Sequence, residues 1–182
     1  MDWSDNVVFH PWIGPNYRST GLDGKRVLIV GESHYAQDPV SDLAGFTQSV
    51  VRGYVEGAFT DRRARLFTAA GRLLIGDRGA TRQHCRDVWK NVAFCNYLQD
   101  FKGDAARFRG GPLDWEGGAD AFEEMHTHLQ PDAVLFLGKG LWWNAKPRLD
   151  SEVNAAYVVH PSGGMKYSDA MPVVDRLLGR TR

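Results

Sequence analysis

The chain has 182 residues, with 22 basic side chains against 22 acidic ones, so its formal net charge is zero. Hydrophobic residues make up 43% and charged residues 24%, a mix that excludes a disordered or collagen-like chain. The size suits one domain over 1–182 with its own buried core, residues 1–25 forming an arm, and neutrality excludes a histone-like polybasic coat.

Met1 to Pro11 carries Asp2, Asp5 and His10 and has no apolar core of signal-peptide length. Phe9 to Tyr17 is aromatic and broken by Pro11 and Pro15, which reads as an irregular arm packed over the domain. Four short runs follow that read as strands: Arg26–Val30, Val92–Asn96, Ala133–Leu137 and Ala156–Val159. They are almost continuously apolar, as expected of parallel strands covered on both faces by helices. Between them, Leu66, Ala69, Ala70, Leu73 and Leu74 keep helical spacing, and Phe122, Met125 and Leu129 make a second stripe. Ser168 reads as the cap of a last helix carrying Met171, Val174 and Leu178. The alternation predicts an α/β fold, a three-layer α/β/α sandwich around a central, mainly parallel four-stranded sheet.

No apolar run approaches the roughly 20 residues of a membrane span. Cys85 and Cys95 are too few for a disulfide framework, a four-cysteine zinc site or an iron–sulfur cluster. A cytoplasmic monomer with no metal, no cofactor and no membrane contact is the expectation. His126 and His128 stand two apart and share no helix face, so they predict no metal pair. Trp142 and Trp143 read as core and rim. Charge is uneven. Arg52 to Lys90 holds nine basic and four acidic residues, whereas Asp100 to Asp132 holds eight acidic and three basic ones. Either these are two solvated helical faces, or a phosphate-facing surface is set against an acidic far side.

In open parallel sheets ligands sit beyond the carboxyl ends of the strands. The segments there are Gly31-Glu32-Ser33-His34-Tyr35, Asn96-Tyr97-Leu98-Gln99, Gly138-Lys139-Gly140 and His160-Pro161-Ser162-Gly163-Gly164. The first and last resemble the two signature motifs of the uracil-DNA glycosylase superfamily. In that superfamily a Gly-Gln-Asp-Pro-Tyr or Gly-Glu-x-Pro-Gly motif follows the first strand and His-Pro-Ser follows the last. Pro131-Asp132 ahead of Ala133–Leu137 and Gly138 resembles its Pro-Asp-apolar-Leu-Gly segment. The likeness runs in order from about Arg26 to Leu178.

The resemblance implies a uracil-DNA glycosylase-like fold and hydrolysis of an N-glycosidic bond in DNA, single-stranded or with the base flipped from a duplex. Cleavage leaves positive charge on the sugar and negative charge on the base, so a donor must meet the base oxygen. His160 takes that place by resemblance. A polar group must serve the sugar side; Glu32 is the first candidate and Ser33 the second. Here the chain departs from the pattern, with Ser33 where the best-known branch carries Asp and His34 where most branches carry Pro. Glu32 matches the iron–sulfur branch, whose cluster two cysteines cannot hold.

For the base, Tyr35 occupies the place of the Tyr that crowds out thymine's methyl group, with His34 beside it. Phe46 lies near the spacing of the stacking aromatic. An Asn at the end of the second strand would read the pyrimidine edge; Asn96 is preferred and Asn91 is the alternative. Ser162, Gly163, Gly164, Met165 and Lys166 predict backbone approach to phosphate, with Met165 as a wedge. Two other functions compete: a catalytically silent nucleic-acid or nucleotide-binding module of the same fold, and a serine hydrolase using Ser33. The last lacks the Asp expected three residues before His160, where Tyr157 stands.

Overall fold

The computed structural model describes residues 2–35, 39–59, 63–101 and 111–181. In chain order its strands are β1 (Trp12–Ile13), β2 (Val27–Gly31), β3 (Val92–Asn96), β4 (Ala133–Leu137) and β5 (Ala155–Val158). Its helices are α1 (Phe46–Val55), α2 (Arg63–Ile75), α3 (Arg82–Trp89), α4 (Pro112–Leu129), α5 (Lys139–Ala145) and α6 (Tyr167–Leu178). The four expected strands form within a residue of their apolar runs.

These strands make one sheet in the order β1-β3-β2-β4-β5. The pairs β2–β3, β2–β4 and β4–β5 are parallel, with Leu28 opposite Ala93 on one side and Val134 on the other. Among the described residues the sheet therefore has five strands, not four. The extra one comes from the arm expected to be irregular: β1 pairs antiparallel with β3, Trp12 facing Phe94. Two residues bounded by prolines carry no readable period, and an edge is where a sheet tolerates nearby proline. Trp12 fixes the arm by donating its indole N–H to the Trp89 carbonyl at 2.9 Å.

Alternation along each strand splits the core in two. Val27, Ile29, Phe94 and Leu135 pack with residues of α1, α2, α3 and α6. Leu28, Val30, Cys95 and Phe136 pack with residues of α4 and α5 on the other side. Both faces are thus covered, which is why the runs are apolar at every position rather than at every second one. The predicted stripes lie inward: Ala70, Leu73 and Leu74 of α2 and Phe122, Met125 and Leu129 of α4 are all buried. The basic segment thus lies largely on one side of the sheet, in α1 to α3, and much of the acidic one on the other, in α4.

One cap differs from expectation. Lys166 is the N-cap of α6, and Ser168 sits inside the first turn with its hydroxyl donating to the Asp169 carboxylate at 2.9 Å. Cys85 and Cys95 are buried free thiols on opposite faces of the sheet. Among the described residues no helix is long and apolar enough to cross a membrane.

Candidate functional site

The parallel register brings four strand ends side by side: Asn96 of β3, Gly31 of β2, Leu137 of β4 and Val158 of β5. The first two loops continue this pairing past the sheet. Tyr97 donates its N–H to the Gly31 carbonyl and Leu98 to the Glu32 carbonyl, both at 2.9 Å. Glu32 is held half-buried by that pairing. Asn96, only 5% exposed, lies over the end of β2: a Cβ on Gly31 would collide with its Oδ1. Glycine is what lets the amide occupy that position. Gln99 secures the loop, donating Nε2–H to the Asn96 carbonyl and accepting the Phe9 N–H at Oε1, both at 2.9 Å.

Ser33 Oγ is buried and has no hydrogen-bond partner among the described residues. Leaving such a hydroxyl unpaired costs about 1–3 kcal/mol. That cost is met when a ligand or water supplies the missing partner. No histidine is hydrogen-bonded to Ser33 Oγ among the described residues, so the nucleophile–base contact of a serine hydrolase is not formed.

His34 is turned away from such chemistry. Its Nε2 shares a 2.7 Å hydrogen bond with Thr47 Oγ1, and Thr47 is itself buried. The rings of Phe9 and Phe46 meet it edge-on at 4.9 Å between centroids, and Phe101 closes the cluster at 6.3 Å. Burial among these rings pushes the His34 pKa down to about 3. The imidazole is therefore neutral at any ordinary pH and belongs to the wall of the site. Phe46 also meets Phe101 edge-on at 5.1 Å, which fixes its ring within the cluster. Tyr35 leaves this wall and is 36% exposed at the rim.

At the far end of the row stands His160, half-buried after β5. Its Nδ1 accepts the Ser162 backbone N–H at 3.2 Å and lies 2.7 Å from Ser162 Oγ. A backbone N–H can only donate, so Nδ1 carries no proton and Nε2 does. Burial also lowers the pKa of this imidazole. The result is a neutral ring with an oriented Nε2–H donor. Gly138 follows β4 at φ +143°, a conformation that favours glycine; a Cβ there would stand 4.0 Å from that of His160, in ordinary contact. Pro161–Gly163 form a 3-10 turn, and Gly164 follows at φ +87° with open space around it. Met165 is half-buried against the α6 side of the core and Lys166 is exposed.

Of the two asparagines, only Asn96 belongs to this row. Asn91 lies at the opposite end of β3, accepting from Asn16 at 3.1 Å and donating to the Asp87 carbonyl at 2.9 Å. Sequence reasoning missed Phe9, Thr47, Gln99 and Phe101 as parts of the site. Gln99 stood in a strand-end segment already singled out, and Thr47 follows Phe46 directly; nothing in local pattern marked Phe9 or Phe101. No group of three or more His, Cys, Asp or Glu side chains able to hold a metal occurs among the described residues. Comparison of the sequence with protein-family models and with curated proteins finds no match.

Proposed function

We propose that this protein is a uracil-DNA glycosylase-like base hydrolase that binds an unpaired base and cleaves its N-glycosidic bond. The observation that carries the reading is the row of strand ends that holds Asn96 after β3, Glu32 and Ser33 after β2 and, beyond β4, His160 after β5, with His160 tautomerically fixed by Ser162. Each group matches a demand of the reaction. As the bond from the sugar C1′ to the base nitrogen breaks, the electron pair leaves with the base. The His160 Nε2–H donates to the base oxygen on which that charge gathers, as a fixed dipole that needs no reorganisation. Glu32 faces the sugar side, stabilises the developing cation and orients the water whose oxygen bonds C1′; the proton that water loses passes to the Glu32 carboxylate, and the departing base anion is protonated from solvent. Ser33 Oγ supplies a hydroxyl to that water or to the sugar. The Asn96 amide, donor and acceptor together, reads the pyrimidine edge.

The test is base release from oligonucleotides bearing uracil, hypoxanthine or xanthine, single-stranded and duplex, scored as alkali-labile abasic product. We expect product from at least one, and His160→Asn to lower the rate about 100- to 1000-fold, the usual cost of a removed oxyanion donor. No product from any substrate at enzyme in excess would overturn the reading.

A second reading is a silent module of the same fold that holds the base without hydrolysing it. Ser33 favours it, since a hydroxyl is a far weaker general base than the Asp of the best-known branch. Saturable binding of a uracil oligonucleotide with no product would select it.

A further inference from the structure

Among the described residues β5 has β4 as its sole strand neighbour, so its other side is an open edge. The ladder to β4 runs through the even positions: Val134 donates its N–H to the Asn154 carbonyl and Gly138 to the Val158 carbonyl, both at 2.9 Å. In a parallel ladder the intervening residues turn their N–H and C=O groups the other way. Ala155 and Tyr157 of β5, with Val159 just beyond it, therefore present those groups along the open edge. None of the three is hydrogen-bonded there to another element among the described residues. This edge is the floor of a groove of about 510 Å³. Trp142 walls it on the α5 face of the sheet, and Met165, Lys166, Asp169 and Val173 wall it on the α6 face.

A walled slot with a row of unused donors and acceptors in its floor takes an extended chain. Three features make that chain the same strand of a second copy. Antiparallel pairing about a two-fold axis at Tyr157 sets Tyr157 against its own copy and Ala155 against Val159. Every outward N–H and C=O then finds a partner, so the edge is its own complement. The α6 wall carries one exposed cation, Lys166, and one exposed anion, Asp169, and meets its copy with no net charge. Finally, residues 155–159 hold none of the prolines or charges that keep edges apart, and Val159 is 47% exposed. The opposite edge is guarded: β1 is two residues long and stands between Pro11 and Pro15.

We infer that β5 is a dimerisation strand: two copies of this chain pair along it, antiparallel, and join their sheets into one. Because the paired strands run in opposite directions, the two strand-end sites lie at opposite ends of the shared edge. The pairing does not depend on the base-hydrolase reading, and it makes the monomer expected from the sequence one half of an assembly.

Sedimentation velocity of the full chain across the micromolar range tests this. A species of twice the 20.4 kDa chain mass should build up with concentration. Lys166→Glu makes the α6 wall doubly negative and Asp169→Lys makes it doubly positive. Each variant alone should therefore dimerise at least about 10-fold more weakly at low salt. An equimolar mixture of the two sets unlike walls together and should regain the wild-type affinity to within about 3-fold. A foreign ligand or a lost fold cannot produce that recovery. Both positions are exposed, so circular dichroism should show the wild-type fold in each variant. Ala155→Pro deletes an outward N–H at the first residue of an edge strand, where proline is tolerated, and should remove the dimer at every salt concentration. A wild-type chain that stays monomeric, or a dimer that both charge variants keep at unchanged affinity, would overturn the pairing. So would a mixture that dimerises no better than its separate components, or a folded Ala155→Pro chain that still forms the dimer.

Discussion

The His34 cluster makes a quantitative claim about acid stability. In the fold the imidazole bonds Thr47 at 2.7 Å among Phe9, Phe46 and Phe101, and burial holds its pKa at about 3. In the unfolded chain it titrates near 6.5. A histidine whose folded pKa is depressed binds its proton more readily when unfolded, so stability rises with pH across the interval from about 3 to 6.5. Between pH 7.5 and 5.0 the unfolded state gains about 1.5 pH units of proton binding that the fold cannot match. That amounts to about 2 kcal/mol of lost stability. Urea titrations of wild type and His34→Phe at the two pH values isolate the term, because every other titrating group is common to both. His34→Phe also leaves Thr47 short of a partner, a pH-independent cost of about 1–3 kcal/mol. The variant should therefore be weaker at pH 7.5 and recover about 2 kcal/mol relative to wild type at pH 5.0. Parallel losses in the two proteins would refute the reasoning, since the histidine would then not be held neutral by its surroundings.

Other outcomes follow from the same site. Ser33→Ala removes a buried hydroxyl without a partner among the described residues, so it should raise stability by up to about 1–2 kcal/mol in urea while lowering base release or base binding. Gly31→Ala should do the opposite to the fold, costing about 2 kcal/mol: the new Cβ meets Asn96 Oδ1 and stands 3.2 Å from the Phe94 ring. It should also weaken discrimination between bases, because the displaced amide is the proposed reader. The His160 pKa is lowered by burial, so base release should be flat with pH above about 6.5 and fall only in more acid solution. A rate that drops on the alkaline side through neutrality would mean that the cationic ring does the work.

The sheet was legible because its strands are buried on both faces. Val27 to Val30 and Ala133 to Leu137 have no exposed position to interrupt them, so pattern alone located them to within a residue. The amphipathic stripes of α2 and α4 were legible for the complementary reason, one face in and one face out. β1 was not, because two residues span a single alternation, and what orders them is tertiary: the ladder to β3 and the Trp12 indole on the Trp89 carbonyl. The Ser168 expectation failed on a finer point. A serine is a good cap only where its own backbone is extended, and here Lys166 takes that conformation at φ −103° and ψ 129°.

The site divides along the same line. Residues adjacent to a strand end were found because topology, rather than side-chain packing, delivers them: Glu32, Ser33, Asn96 and His160 all stand one to three positions past apolar runs. What the side chains then do was not legible, because it depends on partners far away in sequence. His34 looked like a pocket residue by position. It is removed from that role by Thr47 thirteen residues on and by rings from positions 9, 46 and 101. His160 is the contrary case, since its partner Ser162 is only two residues away. The tripeptide His-Pro-Ser therefore encodes its own tautomer: the proline starts the 3-10 turn that brings the Ser162 N–H onto Nδ1. That local closure explains why a short motif at this strand end carries chemical information that the longer loop after β2 does not.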